Sequence, residues 1–138
     1  MRKMSEIVRR QKPLILSQDT TVKHACCDMR DRRVGAVLVI DKDGNLAGIF
    51  TGRDAVTRVA AAGKDSATTK LRDVMTREPC TMPPDKTAID ALRVMQDRGF
   101  RHVPVVANGR LLGVVSRGDF RGLEQDRLDE ETLLWEHM

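Results

Sequence analysis

Apolar positions along this chain predict an order of structural elements that occurs twice. In residues 22–32 they recur at spacings of three and four, as on one face of an amphipathic helix. Residues 35–40 and 46–50 are β-branched apolar runs around an Asp-Gly turn, which predicts a hairpin because glycine tolerates the positive φ of tight turns. A short strand at 14–16 precedes this helix, and a second helix from about 52 to 62 follows the hairpin. The predicted unit is therefore strand, helix, strand, strand, helix.

The same order returns after 66 residues, and a deletion in the second hairpin turn then reduces the offset to 65. This period exceeds that of solenoid repeats, so we predict an internal duplication of two units packed about a pseudo-twofold axis. The predicted boundaries are 7–66 for the first repeat and 70–124 for the second, followed by a helix-compatible, mostly acidic tail at 125–138. The matched pairs include Pro13 and Pro79, Thr21 and Thr87, Met29 and Met95, Gly48 and Gly113, and Asp54 and Asp119.

Each repeat contains a motif in which an apolar strand ends at a hydroxyl residue that an aspartate follows three positions later. The first copy, at 48–54, is Gly-Ile-Phe-Thr-Gly-Arg-Asp, and the second, at 113–119, is Gly-Val-Val-Ser-Arg-Gly-Asp. One interpretation is a capping box, in which the hydroxyl caps a helix and the carboxylate reaches back to the amide of the cap. The other is a nucleotide site, in which the helix N-terminus and the hydroxyl bind phosphate while the carboxylate binds the two ribose hydroxyls. Recurrence at equivalent positions favours the nucleotide site.

Composition narrows the classes of partner. The 138 residues suffice for one globular domain or two small ones that share a core. The net charge of +4 comes from dispersed arginines, and aromatic residues make up 3% of the chain, so a nucleic-acid partner is an alternative that we do not favour. The longest apolar run, at 34–40, is too short to span a membrane, and the N-terminus lacks the apolar segment of a secretory signal.

The cysteines and histidines do not form a recognisable reactive site. Cys26, Cys27 and Cys80 lack the spacing of a metal site, and their odd number favours a reducing, cytoplasmic setting. We expect Cys26 to face the core of its helix and Cys27 to lie at the edge. The three histidines have no acid or cysteine at metal-ligand spacing, and no serine or cysteine has an obvious base partner. We therefore expect no metal, no prosthetic group and no enzymatic activity.

As a set, these residues resemble the CBS-domain family, named from cystathionine β-synthase, in which two repeats form a Bateman module. The resemblance spans about residues 7–123. It rests on the repeated Asp-x-Thr helix start, the Arg-His-Val-Pro-Val-Val strand at 101–106, the two glycine hairpins and both motifs that end in aspartate. The resemblance implies an α+β fold of two β-α-β-β-α repeats with two clefts between them. In similar proteins these clefts bind adenosine compounds, here AMP, ADP, ATP or S-adenosylmethionine.

The resemblance also assigns candidate binding residues. In similar proteins the motif aspartate holds the ribose hydroxyls and the motif hydroxyl contacts phosphate. The matching residues are Asp54 and Asp119 for the ribose, and Thr51 and Ser116 for the phosphate. The basic candidates beside the phosphate are Arg53, Arg117, Arg101 and His102. The apolar candidates beside the adenine are Ile15, Leu16, Val37 and Val103.

Two hypotheses for function follow from the resemblance. The first is a regulatory, ligand-sensing module that forms a homodimer and modulates a partner protein, which the sequence does not identify. The second is a dimerisation scaffold whose clefts are vestigial. The repeats also differ, since Gly35-Ala36 stands where the second repeat has Arg101-His102. We therefore expect the two clefts to differ in affinity.

Overall fold

The computed structural model describes residues 2–120, so the predicted tail at 125–138 and the helix predicted after Asp119 lie outside the described residues. The fold mixes helices and strands, which confirms the predicted α+β class. In chain order the elements are α1 (Met4–Val8), β1 (Ile15–Ser17), α2 (Val22–Arg32), β2 (Ala36–Ile40), β3 (Leu46–Thr51), α3 (Gly52–Asp54, continued by a π-helix over Ala55–Ala60), α4 (Leu71–Val74), β4 (Thr76–Arg77), α5 (Ala88–Arg98), β5 (His102–Ala107) and β6 (Arg110–Ser116), with a 3-10 turn over Arg117–Asp119.

The chain divides into two compact units. The first unit is residues 12–79, and the described part of the second unit combines residues 2–11 with 80–120. The compact units therefore differ from the sequence repeats, because the N-terminal segment (residues 2–11) belongs with the second repeat. The repeat boundaries of 7–66 and 70–124 stay a prediction about sequence, whereas the units describe which residues pack together.

The first unit is built on a four-stranded sheet in the order β1-β2-β3-β4. Strand β1 runs parallel to β2, and both β2–β3 and β3–β4 are antiparallel. The β2–β3 hairpin turns at Gly44, where φ is +82°, as the Asp-Gly sequence predicts. The core lies where helix α2 covers the sheet, and its fully buried side chains include Val22, Val37 and Phe50. This unit therefore contains the complete first motif.

The second unit repeats this plan over fewer strands. Strands β5 and β6 form an antiparallel hairpin that turns at Gly109, where φ is +76°. The strand predicted to precede α5 is present only as an isolated parallel bridge between Met82 and Val105. The core of this unit joins Met4 of α1 to residues of α5 and of the hairpin. The N-terminal segment is thus part of the hydrophobic interior that supports the second motif.

In each unit, a short helix from a segment outside the hairpin is hydrogen-bonded to a residue just before the long helix. In the second unit, the Met4 amide donates to the Lys86 carbonyl at 2.8 Å, just before α5 begins. In the first unit, the Leu71 amide of α4 donates to the Thr20 carbonyl at 2.9 Å, just before α2 begins. Leu71 and Met4 are both fully buried. The linker segment (residues 69–78) therefore has the same role in the first unit as the N-terminal segment has in the second: each contributes a buried side chain and a hydrogen bond at the start of the long helix.

Apart from the strand predicted before α5, local elements follow the sequence closely, with two exceptions. Helix α2 occupies the predicted 22–32, and Cys26 packs against its core, where burial raises the pKa of the thiol. The predicted second helix of the first repeat begins at Gly52, but it continues as a π-helix, in which the Ala61 amide donates to the Val56 carbonyl. Strand β4 was not predicted, because two residues carry no periodic pattern. None of the described helices is long and apolar enough to cross a membrane.

Helix α5 begins with a capping box whose carboxylate should make stability depend on pH. The Thr87 amide donates to Asp90 Oδ2 at 3.1 Å, and this hydrogen bond holds the pKa of the Asp90 carboxyl below its usual range. The stabilisation is therefore present above the unfolded-state pKa of about 3.9 and is lost as pH falls through the lower folded-state pKa. We expect Asp90→Asn to flatten the fall in unfolding free energy below about pH 4, measured by urea denaturation. Asp97→Asn, an exposed position on the same helix, is the control, and an unchanged acid slope in Asp90→Asn would contradict the prediction.

Candidate functional site

The first motif forms a closed hydrogen-bonded loop where β3 passes into α3. The Thr51 amide donates to Asp54 Oδ2 at 3.0 Å, and the Thr51 hydroxyl donates to the same oxygen at 3.2 Å. In return, the Asp54 amide donates to Thr51 Oγ1 at 3.2 Å. The capping interpretation is therefore confirmed for this motif. It leaves the ligand interpretation open, because a carboxylate has a second oxygen with which to accept hydrogen bonds.

The second motif has the same contacts to its carboxylate at the end of β6. The Ser116 amide donates to Asp119 Oδ2 at 2.7 Å, and the Ser116 hydroxyl donates to it at 3.1 Å. Residues 117–119 then make one 3-10 turn. Asp119 is partly exposed, whereas Asp54 is buried with 9% of its surface exposed. The two aspartates therefore share a local geometry but differ in access to solvent.

An arginine that the sequence analysis missed makes the first motif different. Arg58 Nε lies 3.5 Å from Asp54 Oδ1, one helical turn further along the chain. The same guanidinium donates through Nη1 to the Met75 carbonyl at 3.0 Å and to the Val74 carbonyl at 3.4 Å. The i,i+4 spacing of an acid and a base was the signal that could have found this pair from sequence. The two carbonyl partners have no such local signal.

Basic residues gather beside the second motif. In the register of the β5–β6 hairpin, His102 is paired with Ser116, and the Arg117 amide donates to the Arg101 carbonyl at 2.9 Å. The structure therefore brings together the predicted residues Arg101, His102, Ser116 and Arg117. The corresponding place in the first repeat has Gly35 and Ala36, with the Gly52 amide donating to the Gly35 carbonyl and Ala36 paired with Thr51. The first motif thus has two small residues where the second has two basic ones.

A second residue missed by the sequence analysis also lies at the second motif. Arg2 Nη2 donates to the main-chain carbonyl of Asp119 at 2.9 Å. No pattern relates these positions, which are 117 residues apart, and only the packing of the N-terminal segment into the second unit brings them together. The structure thus places a further guanidinium beside the Asp119 turn.

The glycine that opens each motif has a packing role. A Cβ atom at Gly48 would lie 2.6 Å from the Thr76 carbonyl oxygen and 2.7 Å from Met75 Sδ. A Cβ atom at Gly113 would lie 2.8 Å from Gln11 Oε1 and 2.9 Å from Val8 Cβ. The linker segment therefore passes directly over Gly48, and the N-terminal segment passes directly over Gly113. The close approach explains why each motif begins with glycine.

The apolar candidates for adenine contact fall into two groups. Ile15 on β1 is 40% exposed, and Leu16 is partly buried against the core of the first unit. Val37 and Val103 are fully buried, each in the interior of its own unit. Core packing accounts for these two valines, and the contact of all four residues with an adenine ring stays a prediction. Arg53 is exposed beside Thr51, where it could meet a phosphate.

No metal-binding constellation is found in residues 2–120. Within that range no group of three or more His, Cys, Asp or Glu side chains lies close enough to hold a metal ion. His24 instead lies 3.2 Å from Asp28 through Nε2, one turn along α2. The chemistry that the described motifs offer is therefore hydrogen bonding and positive charge.

Comparison with known proteins gives a consistent family assignment. The family model described as CBS domain matches residues 4–61 and 71–125. A CBS domain-containing protein of Arabidopsis thaliana is 43% identical over 108 residues, which cover 78% of this chain and 20% of the relative. The chain thus spans about a fifth of the length of this relative and of a second Arabidopsis relative to which it is 41% identical.

Two solved structures show how much of the fold is shared. The crystal structure of a CBS-domain containing protein from Agrobacterium tumefaciens has a TM-score of 0.78 at 33% identity, covering 85% of this chain and 89% of that one. A CBS domain protein from Pyrobaculum aerophilum, solved in complex with AMP, has a TM-score of 0.82 at 24% identity. The matched region covers 93% of this chain and 98% of that protein.

Proposed function

The chain belongs to the CBS-domain family, and from that premise we propose that it is a regulatory module that binds an adenosine-containing nucleotide through its Thr/Ser-x-x-Asp motifs. The observation that carries the proposal is the surroundings of the second motif. There a carboxylate, a hydroxyl and the basic residues Arg101 and His102 meet at the ends of two paired strands.

The second motif offers partners for the ribose and the phosphate of such a ligand. The Asp119 carboxylate is an acceptor that suits the two hydroxyls of a ribose. The Ser116 hydroxyl and the guanidinium groups of Arg101 and Arg117 suit a phosphate, which arginine recognises through paired N–H groups. The adenine requires an apolar surface, and its contact with Ile15, Leu16, Val37 or Val103 stays a prediction. AMP is the smallest of the proposed ligands with all three parts.

The shared fold is compatible with this ligand. The protein from Pyrobaculum aerophilum, with the same fold, was solved in complex with AMP. At 24% identity this similarity supports a shared fold only. The proposal that this chain binds a nucleotide therefore depends on its own motif residues. ADP, ATP and S-adenosylmethionine contain the same adenosine and remain in the proposed set.

The regulatory part of the proposal requires more than binding. A ligand shifts an equilibrium only when it binds one arrangement of the protein more tightly than another. We propose that the protein is a cytoplasmic homodimer without catalytic activity of its own. In this proposal, nucleotide binding shifts the dimer between two states, of which a partner protein recognises one.

The proposal is tested by thermal unfolding of the full chain with AMP, ADP, ATP or S-adenosylmethionine. A ligand at about 100 times its Kd stabilises the fold by about 2.7 kcal/mol, which is on the order of 5 °C for a domain of this size. We expect at least one of the four to raise Tm, and Asp119→Ala to reduce the shift, because the ribose loses its acceptor.

A matched control separates ligand binding from helix capping. Asp90→Ala removes the same kind of capping box, at the start of α5, in a sequence outside the two motifs. It should cost about 1 kcal/mol of stability and retain the full nucleotide response. If Asp90→Ala and Asp119→Ala reduce the shift equally, the aspartates are caps only. If nucleotide-free protein responds to none of the four compounds, the scaffold hypothesis accounts better for the module.

A further inference from the structure

We infer that the two motifs are not equivalent binding sites: Arg58 occupies the first one, so that each chain binds a single nucleotide through Asp119. This inference deepens the proposed function and rests on it. It concerns which motif accepts the ribose and which residue makes the choice.

At the first motif, both carboxylate oxygens already have partners. Asp54 Oδ2 accepts from the Thr51 amide and hydroxyl, at 3.0 and 3.2 Å. Asp54 Oδ1 faces Arg58 Nε at 3.5 Å, and the Asp54 side chain is only 13% exposed. A ribose that uses Asp54 therefore competes with the guanidinium for Oδ1, and the hydrogen bonds that it gains there weaken the ion pair.

Arg58 is held more firmly than an arginine in an ordinary surface ion pair. Exposed pairs contribute little because two long side chains must be ordered for a weak, screened attraction. Here the guanidinium is also anchored by the main-chain carbonyls of Met75 and Val74, at 3.0 and 3.4 Å. These carbonyls belong to the last turn of α4 and the residue after it. Because the anchor orders the side chain independently of Asp54, the ion pair needs little further ordering.

At the second motif the same position lacks a guanidinium. The 65-residue offset aligns Arg58 with Leu123, an aliphatic residue that lies outside the described residues. Within residues 2–120, Asp119 makes no ion pair, and it is partly exposed. Two contacts of nearby basic residues with this turn involve the main chain: the Arg2 guanidinium donates to the Asp119 carbonyl, and the Arg117 amide donates to the Arg101 carbonyl. Among residues 2–120, the Asp119 carboxylate is therefore available for ribose hydroxyls where the Asp54 carboxylate is engaged.

The inference predicts how many nucleotides each chain binds and names a substitution that changes this number. Hydrogen bonds to a charged group are worth enough that losing one costs about tenfold in affinity or more. We therefore expect AMP to bind wild-type protein at one site per chain, with the first motif at least about tenfold weaker. Arg58→Leu, which copies the aligned residue of the second repeat, should free the Asp54 carboxylate and add a second site, weaker than the first because Gly35 and Ala36 stand where the second motif has Arg101 and His102.

The experiment is isothermal titration calorimetry of the full chain with AMP, or with whichever of ADP, ATP and S-adenosylmethionine first proves to bind. The variants are Asp119→Ala, Arg58→Leu and their combination. We expect Asp119→Ala to lose the tight site, Arg58→Leu to raise the stoichiometry from one to two, and the double variant to regain one site. Arg30→Leu removes another arginine paired with an aspartate, on the exposed side of α2, and should retain a stoichiometry of one.

Each alternative outcome has a distinct meaning. Two equal sites in wild-type protein, or an equal loss of affinity in Asp54→Ala and Asp119→Ala, would overturn the inference and leave the proposed function intact. A single site that Arg58→Leu leaves unchanged in number, in protein whose circular dichroism spectrum matches that of wild type, would overturn the role of Arg58. If no adenosine compound binds any variant, the proposed function fails and the inference with it.

Discussion

Met4→Ala is expected to lower the unfolding free energy of the second unit by about 2–5 kcal/mol, the usual range for truncating a fully buried methionine. The Met4 side chain has no exposed surface and lies in the core with Met95 and Val103. Its amide also donates to the Lys86 carbonyl at 2.8 Å, so the helix that bears it is fixed beside α5. Truncation leaves a cavity that these neighbours can only partly fill.

The measurement has to show which unit loses stability, because a chain with two compact units need not unfold in one step. Native-state hydrogen exchange followed by mass spectrometry does so, since it reports opening free energies segment by segment. In Met4→Ala we expect protection to fall across residues 80–120 and to persist across 12–79. Leu71→Ala should show the reverse, because Leu71 holds the equivalent position in the first unit.

Ser5→Ala is the control for Met4→Ala, because Ser5 is exposed on the same short helix. It should change protection by less than about 0.5 kcal/mol, as surface substitutions do. If Met4→Ala instead weakened residues 12–79, the N-terminal segment would belong with the repeat that follows it in sequence. That result would contradict the division into units described above.

Gly48→Ala is expected to destabilise the first unit by about 3 kcal/mol, at the upper end of the range for overpacking. The new Cβ would lie 2.6 Å from the Thr76 carbonyl oxygen, which belongs to the main chain of β4. This oxygen cannot rotate away, so β3 and β4 must separate. For the same reason, shortening Met75 in a double variant should not restore stability, although Met75 Sδ is also within 2.7 Å.

The second glycine of the same motif provides the control for Gly48→Ala. A Cβ at Gly52 would meet nothing within 4 Å, and alanine is a better helix former than glycine by up to about 1 kcal/mol. Urea denaturation should therefore show Gly52→Ala as neutral or slightly stabilised. Equal losses in both variants would mean that the motif needs glycine for backbone conformation, and the close approach of β4 would not be the cause.

The sequence by itself determined much of this protein. The duplication, both hairpins and the limits of α2 and α5 follow from local periodicity and turn residues, whose physical cause lies within a few positions of the chain. The two motifs were also visible in the sequence, together with their capping geometry, because the hydroxyl and the aspartate are only three residues apart. The pairing of Arg58 with Asp54 could also have been predicted from sequence, because residues four positions apart lie on the same face of a helix.

The tertiary structure decided which distant segments meet. Ile15 and Val37 are both apolar strand residues, but only packing leaves one partly exposed and buries the other completely. The association of the N-terminal segment with the second repeat also leaves no mark on periodicity, since both segments would show the same apolar spacing with either partner. Arg2 reaches Asp119, and Arg58 reaches Met75, only through such long-range packing. Contacts between distant residues depend on the whole arrangement of buried surface, and that arrangement is absent from any short window of sequence.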